Sequence, residues 1–239
     1  MIVIVFTCNR PDDLKRCLAS VFRQSYMNFE VMVVDNSDNL HANKALKDYS
    51  IKLISDKTKK LSYLFNLGWK NASAENIAYL ADDVEISDDW LEKGMSTFKR
   101  QKPAAVVTGP LLSPFEYSGE MHALYSKANK SRLLSIFARF YDNFILAGKT
   151  LEPCVLCESG GYTIGQGLKP DFSEEREVDL ATTSGMLIKR SAIEKIGGFD
   201  ENFYFNHADG DLFIRLKQSG YRIIYNPRMR AVHFNRMGP

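Results

Sequence analysis

The alternation of short apolar runs with segments of helical periodicity, over the first hundred residues, most constrains how this chain folds. The runs at 2–6 and 30–35 are rich in β-branched residues and carry no polar residue between their ends. Such runs are typical of strands buried on both faces of a sheet. The segment after the first run has one apolar face and begins at Pro11, which suits the first turn of a helix. This order of elements predicts βαβ units and therefore a parallel sheet.

The same pattern continues toward the end of the chain. We predict further strands at 53–55, 77–80, 104–108, 186–189, 222–225 and 231–234, and further helices at 58–73, 90–98, 191–196 and 209–219. Residues 148–177 combine glycines with many polar residues, which indicates a mobile loop. The predicted fold class is α/β, with a mixed, mostly parallel central sheet and helices on both faces.

Composition excludes several classes of protein. With 239 residues, 45% hydrophobic and 25% charged, the chain is typical of one globular domain with a sizeable core. A formal net charge of +2 argues against a dedicated nucleic-acid surface. No apolar run is long enough to span a bilayer, and the first strand lacks the flanks of a signal peptide, so we expect a cytoplasmic protein. Cys154 and Cys157 have zinc-ligand spacing but no second pair, which favours ordinary reduced thiols.

Acidic residues follow two of the predicted strands, where parallel sheets bind their ligands. Asp35 ends the second strand and has two interpretations: a contact to a nucleobase or ribose, or a turn-forming residue. Asp82 and Asp83 follow a later strand, and two adjacent carboxylates need a compensating charge such as Mg²⁺ or Mn²⁺. The alternative for this pair is a solvated loop that caps the helix after Asp89.

Two residues near the end of the chain are further candidates. Asp209 opens the last long helix, where a carboxylate can act as a general base or simply as a helix cap. His233 lies in the last predicted strand and is either a metal ligand or a structural histidine.

The segment 131–146 is strongly amphipathic and also has two interpretations. One is a helix whose apolar face packs on the sheet, the usual fate of such a stripe. The other is a peripheral contact with a membrane or a lipid-linked substrate, because Lys127, Lys130, Arg132 and Arg139 lie on or beside it.

Taken together and in order, these segments resemble the family 2 glycosyltransferases of the GT-A fold. The similarity lies in FTCNRP at 6–11, FEVMVVDN at 29–36, LADDVE at 80–85, SGMLIKR at 184–190, GGFD at 197–200 and HADGDL at 207–212, with His233 beyond them. Each motif is weak alone, but the ordered set runs from residue 2 to residue 234 and leaves only about 110–178 uncovered. The resemblance implies a single Rossmann-like GT-A domain over 1–239, with a nucleotide-sugar-binding half at 1–109 and an acceptor-binding half at 110–239.

The resemblance also implies an activity and a role for each candidate residue. It implies an inverting hexosyl- or deoxyhexosyltransferase that uses a nucleoside diphosphate sugar, a glycan or lipid-linked acceptor and a divalent cation, Mn²⁺ or Mg²⁺. The implied residues are Asp209 as catalytic base, Asp83 and His233 as metal ligands, and Thr7, Arg10, Asp35, Asp82, Gly185 and Met186 as the donor and sugar pocket.

Two departures from the family pattern leave alternatives open. Ala81 and Ala208 stand where many members carry polar or acidic residues, which bears on metal binding and on acceptor positioning. A non-catalytic nucleotide-sugar-binding module is therefore one alternative. A sugar-phosphate nucleotidyltransferase is another, although the segment after the first strand has none of the glycine that a phosphate-cradling loop needs.

Overall fold

The computed structural model describes residues 1–38, 46, 49–58, 60–112, 131–149, 152–163, 174–204 and 207–234. Its strands are β1 (Ile2–Thr7), β2 (Glu30–Asp35), β3 (Lys52–Ser55), β4 (Asn76–Ala81), β5 (Val84–Ile86), β6 (Ala104–Thr108), β7 (Leu111–Leu112), β8 (Val155–Leu156), β9 (Tyr162–Thr163), β10 (Arg176–Val178), β11 (Gly185–Lys189), β12 (Arg222–Tyr225) and β13 (Ala231–His233). Its helices are α1 (Pro11–Val21), α2 (Leu61–Lys70), α3 (Trp90–Arg100), α4 (Arg132–Phe140), α5 (Arg190–Lys195) and α6 (Ala208–Gln218), with a π-helical turn at Tyr141–Ile145 after α4.

The main sheet has the strand order β10-β12-β6-β11-β4-β1-β2-β3. β1 pairs in parallel with β2 and β4, β2 with β3, and β12 with β6. β11 is antiparallel to both β4 and β6, and β10 is antiparallel to β12. The predicted mixed, mostly parallel α/β sheet is confirmed.

Side chains of β1 alternate between two hydrophobic cores, one on each face of the sheet. Ile2, Ile4 and Phe6 pack with α2, α5 and α6 on one face. Val3 and Val5 pack with α1 and α3 on the other. Every residue of β1 is buried, which explains why the run carries no polar residue before its end. The central strands are therefore fixed from both sides, and their carboxyl ends form a rigid edge.

Five short strands of the described structure were not predicted from the sequence: β5, β7, β8, β9 and β10. β5 follows directly after Asp82 and Asp83, so these two acids form a turn between strands. The alternative in which they belong to a helix-capping loop is therefore wrong. β5 and β7 pair with β13 on either side of it, which makes a small second sheet that brings the C-terminal strand to the edge of the main one.

The amphipathic segment 131–146 forms α4 and the π-helical turn, but its apolar stripe is not packed on the sheet. Leu133, Phe137 and Phe144 are exposed by 78%, 66% and 70%. The interpretation as a helix with its apolar face in the core is therefore wrong. Of the predicted loop 148–177, the described parts contain β8, β9 and the start of β10, and the prediction of mobility stays a prediction.

Candidate functional site at the carboxyl edge of the sheet

A cavity of about 1490 Å³ opens at the carboxyl edge of the main sheet. Its wall brings together six of the residues singled out in the sequence: Thr7, Arg10, Asp82, Asp83, Asp209 and His233. These side chains come from β1, from the loop between β1 and α1, from the turn after β4, from α6 and from β13. The volume exceeds the roughly 300–1,000 Å³ of ordinary small-molecule pockets.

Asp82 is buried and forms a hydrogen bond with Thr7, the last residue of β1. It follows β4, which is paired with β1, and the Thr7 hydroxyl donates a hydrogen bond of 2.7 Å to its Oδ2. Burial raises the pKa of Asp82 to about 6, although the Thr7 hydrogen bond and the Arg10 charge act in the opposite direction. Asp82 therefore carries its charge in a costly position, which requires a cationic or hydrogen-bonding partner.

Arg10 supplies part of that compensation. Its Nη1 lies 3.0 Å from Oδ2 of Asp83 and 3.5 Å from Oδ1 of Asp82. The side chain of Arg10 is half-exposed, so the guanidinium lies between two buried carboxylates and the open cavity. It is placed to contact an anionic ligand on its open side while it neutralises the acids on the other.

Asp83 is paired with His233 from the far end of the chain. Nε2 of His233 lies 3.0 Å from Oδ1 of Asp83. Burial alone would raise the pKa of Asp83, but the hydrogen bond and charge of His233, together with the Arg10 charge, outweigh it and hold that pKa below its ordinary value. Asp83 is thus an ionised carboxylate beside an imidazole, a pair that suits a divalent cation.

The pair fits a metal ion as two ligands of a larger set. Adjacent ligands of an octahedral Mg²⁺ are about 3 Å apart, because each lies about 2.1 Å from the ion at right angles. The 3.0 Å between Nε2 of His233 and Oδ1 of Asp83 is a hydrogen-bond distance, and the same separation suits two adjacent ligands once Nε2 carries no proton. Among the described residues no group of three or more His, Cys, Asp and Glu side chains is arranged to hold an ion. The remaining ligands would be oxygens of a substrate and water.

Asp209 lies in the first turn of α6 and does not occupy its cap. The helix begins at Ala208, and the residue before it, His207, has a left-handed φ of 66°. Oδ1 of Asp209 accepts a 2.9 Å hydrogen bond from the amide of Gly210. Burial raises the pKa of Asp209, which backbone hydrogen bonds and the His207 charge only partly offset. A carboxylate with a raised pKa beside a cavity is a better base than an ordinary aspartate.

Three predicted residues lie outside the described wall of the cavity. Asp35 is buried, and its Oδ1 accepts a 2.9 Å hydrogen bond from the amide of Ser37, which is the contact of the turn-forming interpretation. The carbonyl of Gly185 accepts from the Thr108 hydroxyl, and Met186 is fully buried in the core. Their roles toward a ligand stay predictions.

Several residues of the wall were given no role by the sequence analysis. Thr183 and Ser184 precede β11 and line the cavity next to the buried Met186. Tyr162 of β9 also lines it, and its ring meets that of His207 edge-on with 6.3 Å between centroids. His207 has a left-handed backbone, with φ of 66°, and sequence periodicity does not reveal such a conformation.

The sheet order and the acidic cavity at its carboxyl edge define the GT-A fold. The solved structure of GalNAc-T7 with UDP, GalNAc and Mn²⁺ has a TM-score of 0.70 to this chain at 13% identity, covering 98% of this chain and 44% of that one. The mannosyltransferase PcManGT from Pyrobaculum calidifontis, solved with GDP-Man and Mn²⁺, has a TM-score of 0.64 at 16% identity, covering 99% and 57%. At these identities the similarity concerns the fold alone.

The chain belongs to glycosyl transferase family 2, whose family model matches residues 2–197. It is 32% identical to the rhamnosyltransferase WbbL of Escherichia coli K12, over 98% of this chain and 83% of that protein. It is 26% identical to the O-antigen biosynthesis protein RfbC of Myxococcus xanthus, over 97% of this chain but 17% of that protein. The glucosyl-dolichyl phosphate glucuronosyltransferase of Haloferax volcanii is 21% identical, over 98% and 68%. This chain therefore corresponds to a minor part of RfbC and to most of the other two.

Proposed function

We propose that this chain is an inverting glycosyltransferase that moves a hexose or deoxyhexose from a nucleoside diphosphate sugar to an acceptor hydroxyl. The observation that carries the proposal is that Asp83 and Asp209 lie on the wall of one cavity, although they come from distant parts of the chain. One carboxylate is paired with His233 and Arg10, and the other is buried with a raised pKa. Two acids in such different surroundings suit two different roles.

The donor would bind with its diphosphate near Arg10, at the end of β1. The open side of this guanidinium faces the cavity, and a guanidinium contacts phosphate oxygens well. Thr7 and Asp82 would lie beside the ribose, and Asp35 would contact the base or ribose from the neighbouring strand end. Gly185 and Met186 would support the sugar pocket from behind Ser184. The nucleotides in the GalNAc-T7 and PcManGT structures support a donor of this class.

Asp83 and His233 would hold a divalent cation, Mn²⁺ or Mg²⁺. Such an ion stabilises the negative charge that develops on a departing diphosphate. The Mn²⁺ in both structural neighbours supports this assignment, as does the 3.0 Å spacing of the pair. Arg10 would add a fixed positive charge on the same side of the leaving group.

Asp209 would accept the proton of the acceptor hydroxyl as that oxygen attacks the anomeric carbon. A single displacement from the face opposite the diphosphate inverts the anomeric configuration. The names of the relatives support sugar acceptors carried by lipids: one is a glucosyl-dolichyl phosphate glucuronosyltransferase, and another is an N-acetylglucosaminyl-diphospho-decaprenol L-rhamnosyltransferase of Mycobacterium tuberculosis. We propose a glycan or lipid-linked glycan as the acceptor of this chain.

A thermal-shift screen of nucleoside diphosphate sugars, with and without Mn²⁺, tests the proposal. A donor that binds the native state raises the melting temperature by mass action, and the increase should require the ion. The selected donor is then incubated with acceptors, and NMR of the product reports the anomeric configuration. Retention of configuration would contradict the proposed mechanism. Binding without transfer to any acceptor would favour the non-catalytic module, and diphosphate release from NTP and sugar phosphate would favour the nucleotidyltransferase.

A further inference from the structure

The helical segment 132–145, comprising α4 and the π-helical turn, presents a continuous apolar face to solvent. Five large apolar side chains on it are more than half exposed: Leu133, Ile136, Phe137, Phe140 and Phe144. At 100° per residue they fall within an arc of about 100°, so they form one stripe. Two of them, Phe140 and Phe144, stack with ring centroids 4.8 Å apart, which makes the stripe continuous. We call this set the apolar stripe.

The opposite side of the segment is held to the domain. Ala138 and Leu146 are buried. The carbonyl of Leu146 accepts a hydrogen bond from the Cys157 thiol at 3.3 Å. Ile145 lies against Gly161, so close that a Cβ added to Gly161 would lie 2.8 Å from Cγ2 of Ile145. The segment is therefore docked by one side, and the exposure of the stripe is not a consequence of a detached helix.

Charge around the stripe identifies the kind of surface that it fits. From residue 127 to residue 145 the sequence has four basic residues, Lys127, Lys130, Arg132 and Arg139, against one acidic residue, Asp142. The 14 residues of the segment span about 21 Å, which is too short to cross a bilayer but suits a helix lying in its interface. No helix in the described part of the chain is long and apolar enough to cross a membrane. A second copy of the chain fits less well, since it would bring two such basic segments together.

We propose that the apolar stripe inserts into the interfacial region of a bilayer that contains anionic phospholipids. The β8–β9 hairpin that holds the segment through Cys157 and Gly161 also contributes to the cavity, since its residues Leu156 and Tyr162 line the wall. Docking of the stripe would thus place the open cavity beside the membrane surface. The placement of the cavity beside the membrane rests on the proposed function, because it matters only if the acceptor is lipid-linked. Membrane binding by the apolar stripe does not rest on the proposed function.

Vesicle flotation of the purified protein tests the proposal. We expect it to float with vesicles of phosphatidylcholine containing 30% phosphatidylglycerol and to bind pure phosphatidylcholine more weakly. The double variant Phe137→Ser/Phe140→Ser should lower the partition coefficient at least tenfold, because each phenyl ring contributes apolar area to the bound state. Met27→Ser is the matched control: Met27 is 79% exposed but lies outside the stripe, so binding should not change.

A second double variant, Leu133→Ser/Phe144→Ser, guards against misfolding of the first, and melting curves establish that each is folded. Failure of the unaltered protein to float, or equal flotation of folded variants, would overturn the proposal. Sedimentation of the protein without vesicles gives the remaining outcome. If the unaltered protein is a dimer and the stripe variants are monomers, the stripe contacts a second copy of the chain and the membrane proposal is wrong. Flotation measures membrane binding without any turnover, so its result does not depend on whether the protein transfers a sugar.

Discussion

Asp83 and His233 lie 3.0 Å apart because the last strand of the chain pairs with the strand that follows Asp83. In the antiparallel register of β13 and β5, His233 is opposite Val84, and the amide of Phe234 donates to the carbonyl of Asp83 at 2.8 Å. Backbone pairing therefore fixes the two side chains next to each other before any ion binds. A site arranged in advance loses little conformational entropy on binding its ligand.

Asp209→Asn should retain donor binding and lose most transfer. An amide cannot accept the proton of the acceptor, and general-base catalysis contributes about 10²- to 10⁴-fold. Turnover under saturating donor and calorimetric donor affinity are the two measurements. Asp211→Asn on the same helix is the control, since that carboxylate is bound by Arg215, and it should change turnover less than about tenfold. Undiminished turnover in Asp209→Asn would exclude the assignment as base.

Asp83→Ala should abolish the dependence of transfer on added Mn²⁺. His233→Ala leaves the Asp83 carboxylate in place and should lower the affinity for Mn²⁺. Loss of a residue that only supports a ligand costs roughly 10- to 100-fold in affinity, and loss of a ligand should cost at least as much. Transfer is measured as a function of Mn²⁺ concentration after treatment with a chelator. If the unaltered protein keeps full activity in chelator, the metal assignment to these two residues is wrong.

Arg10→Met should have opposite effects on two ligands. Removal of the guanidinium from Oδ2 of Asp83 frees that carboxylate for a cation, so Mn²⁺ alone should bind up to about fivefold more tightly. The donor should bind more weakly, because a positive charge beside its diphosphate is lost. Calorimetry with each ligand separately measures both. Arg23→Met is the control: this arginine is similarly exposed, pairs with Glu85 and Asp88 and does not line the cavity, so neither affinity should change.

Asp82→Asn should stabilise the protein at high pH. The pKa of Asp82 in the folded protein is about 6, above the ordinary 3.8, so its contribution to stability is complete below pH 4 and is lost as the pH rises through 6. An asparagine cannot ionise and still accepts from Thr7. At pH 8 the variant should therefore melt at a higher temperature than the unaltered protein, with a free energy of unfolding that is larger by at most about 3 kcal/mol. This gain in free energy should shrink toward pH 4.

Gly198→Ala should destabilise the fold much more than Gly197→Ala. Both glycines have left-handed backbones, with φ of 85° and 81°, so alanine costs about 1–2 kcal/mol at either. At Gly198 the added Cβ would also meet Oδ1 of Asn66 at 2.6 Å, whereas at Gly197 nothing lies within 4 Å. We expect about 1–3 kcal/mol more loss at Gly198 from this overpacking, measured by denaturant unfolding. Equal losses would show that the Asn66 contact yields without cost.

The sequence was sufficient for the parts of the molecule that depend on local pattern. Buried runs such as Ile2–Thr7 predict their strands because both faces of the sheet are covered. The acids at 82, 83 and 209 were candidates because they follow a strand or begin a helix, and the resemblance to the family, not the local pattern, gave each of them a role. Strands of two or three residues, such as Leu111–Leu112, were missed because their pairing is set by tertiary contacts, not by periodicity.

Side-chain direction and surface packing were also beyond the sequence. The family resemblance implied that Met186 lines the sugar pocket; in the structure its side chain is fully buried, and Ser184, just before β11, lies at the cavity wall. The stripe of Leu133 and Phe137 has the same composition as a core-packed helix. Only the position of the helix in the fold distinguishes the two.

In the small sheet of β5, β13 and β7, the site is complete only when β13 is paired with its two neighbours. The family model stops at residue 197, so Asp209 and His233 both come from the stretch that follows it. Fraying of Ala231–His233 from Val84–Ile86 would remove an imidazole from the proposed ion and an edge from the crevice in one event. Cation affinity should accordingly report how firmly the C-terminal strand is seated, and occupancy by the ion should in return slow its detachment.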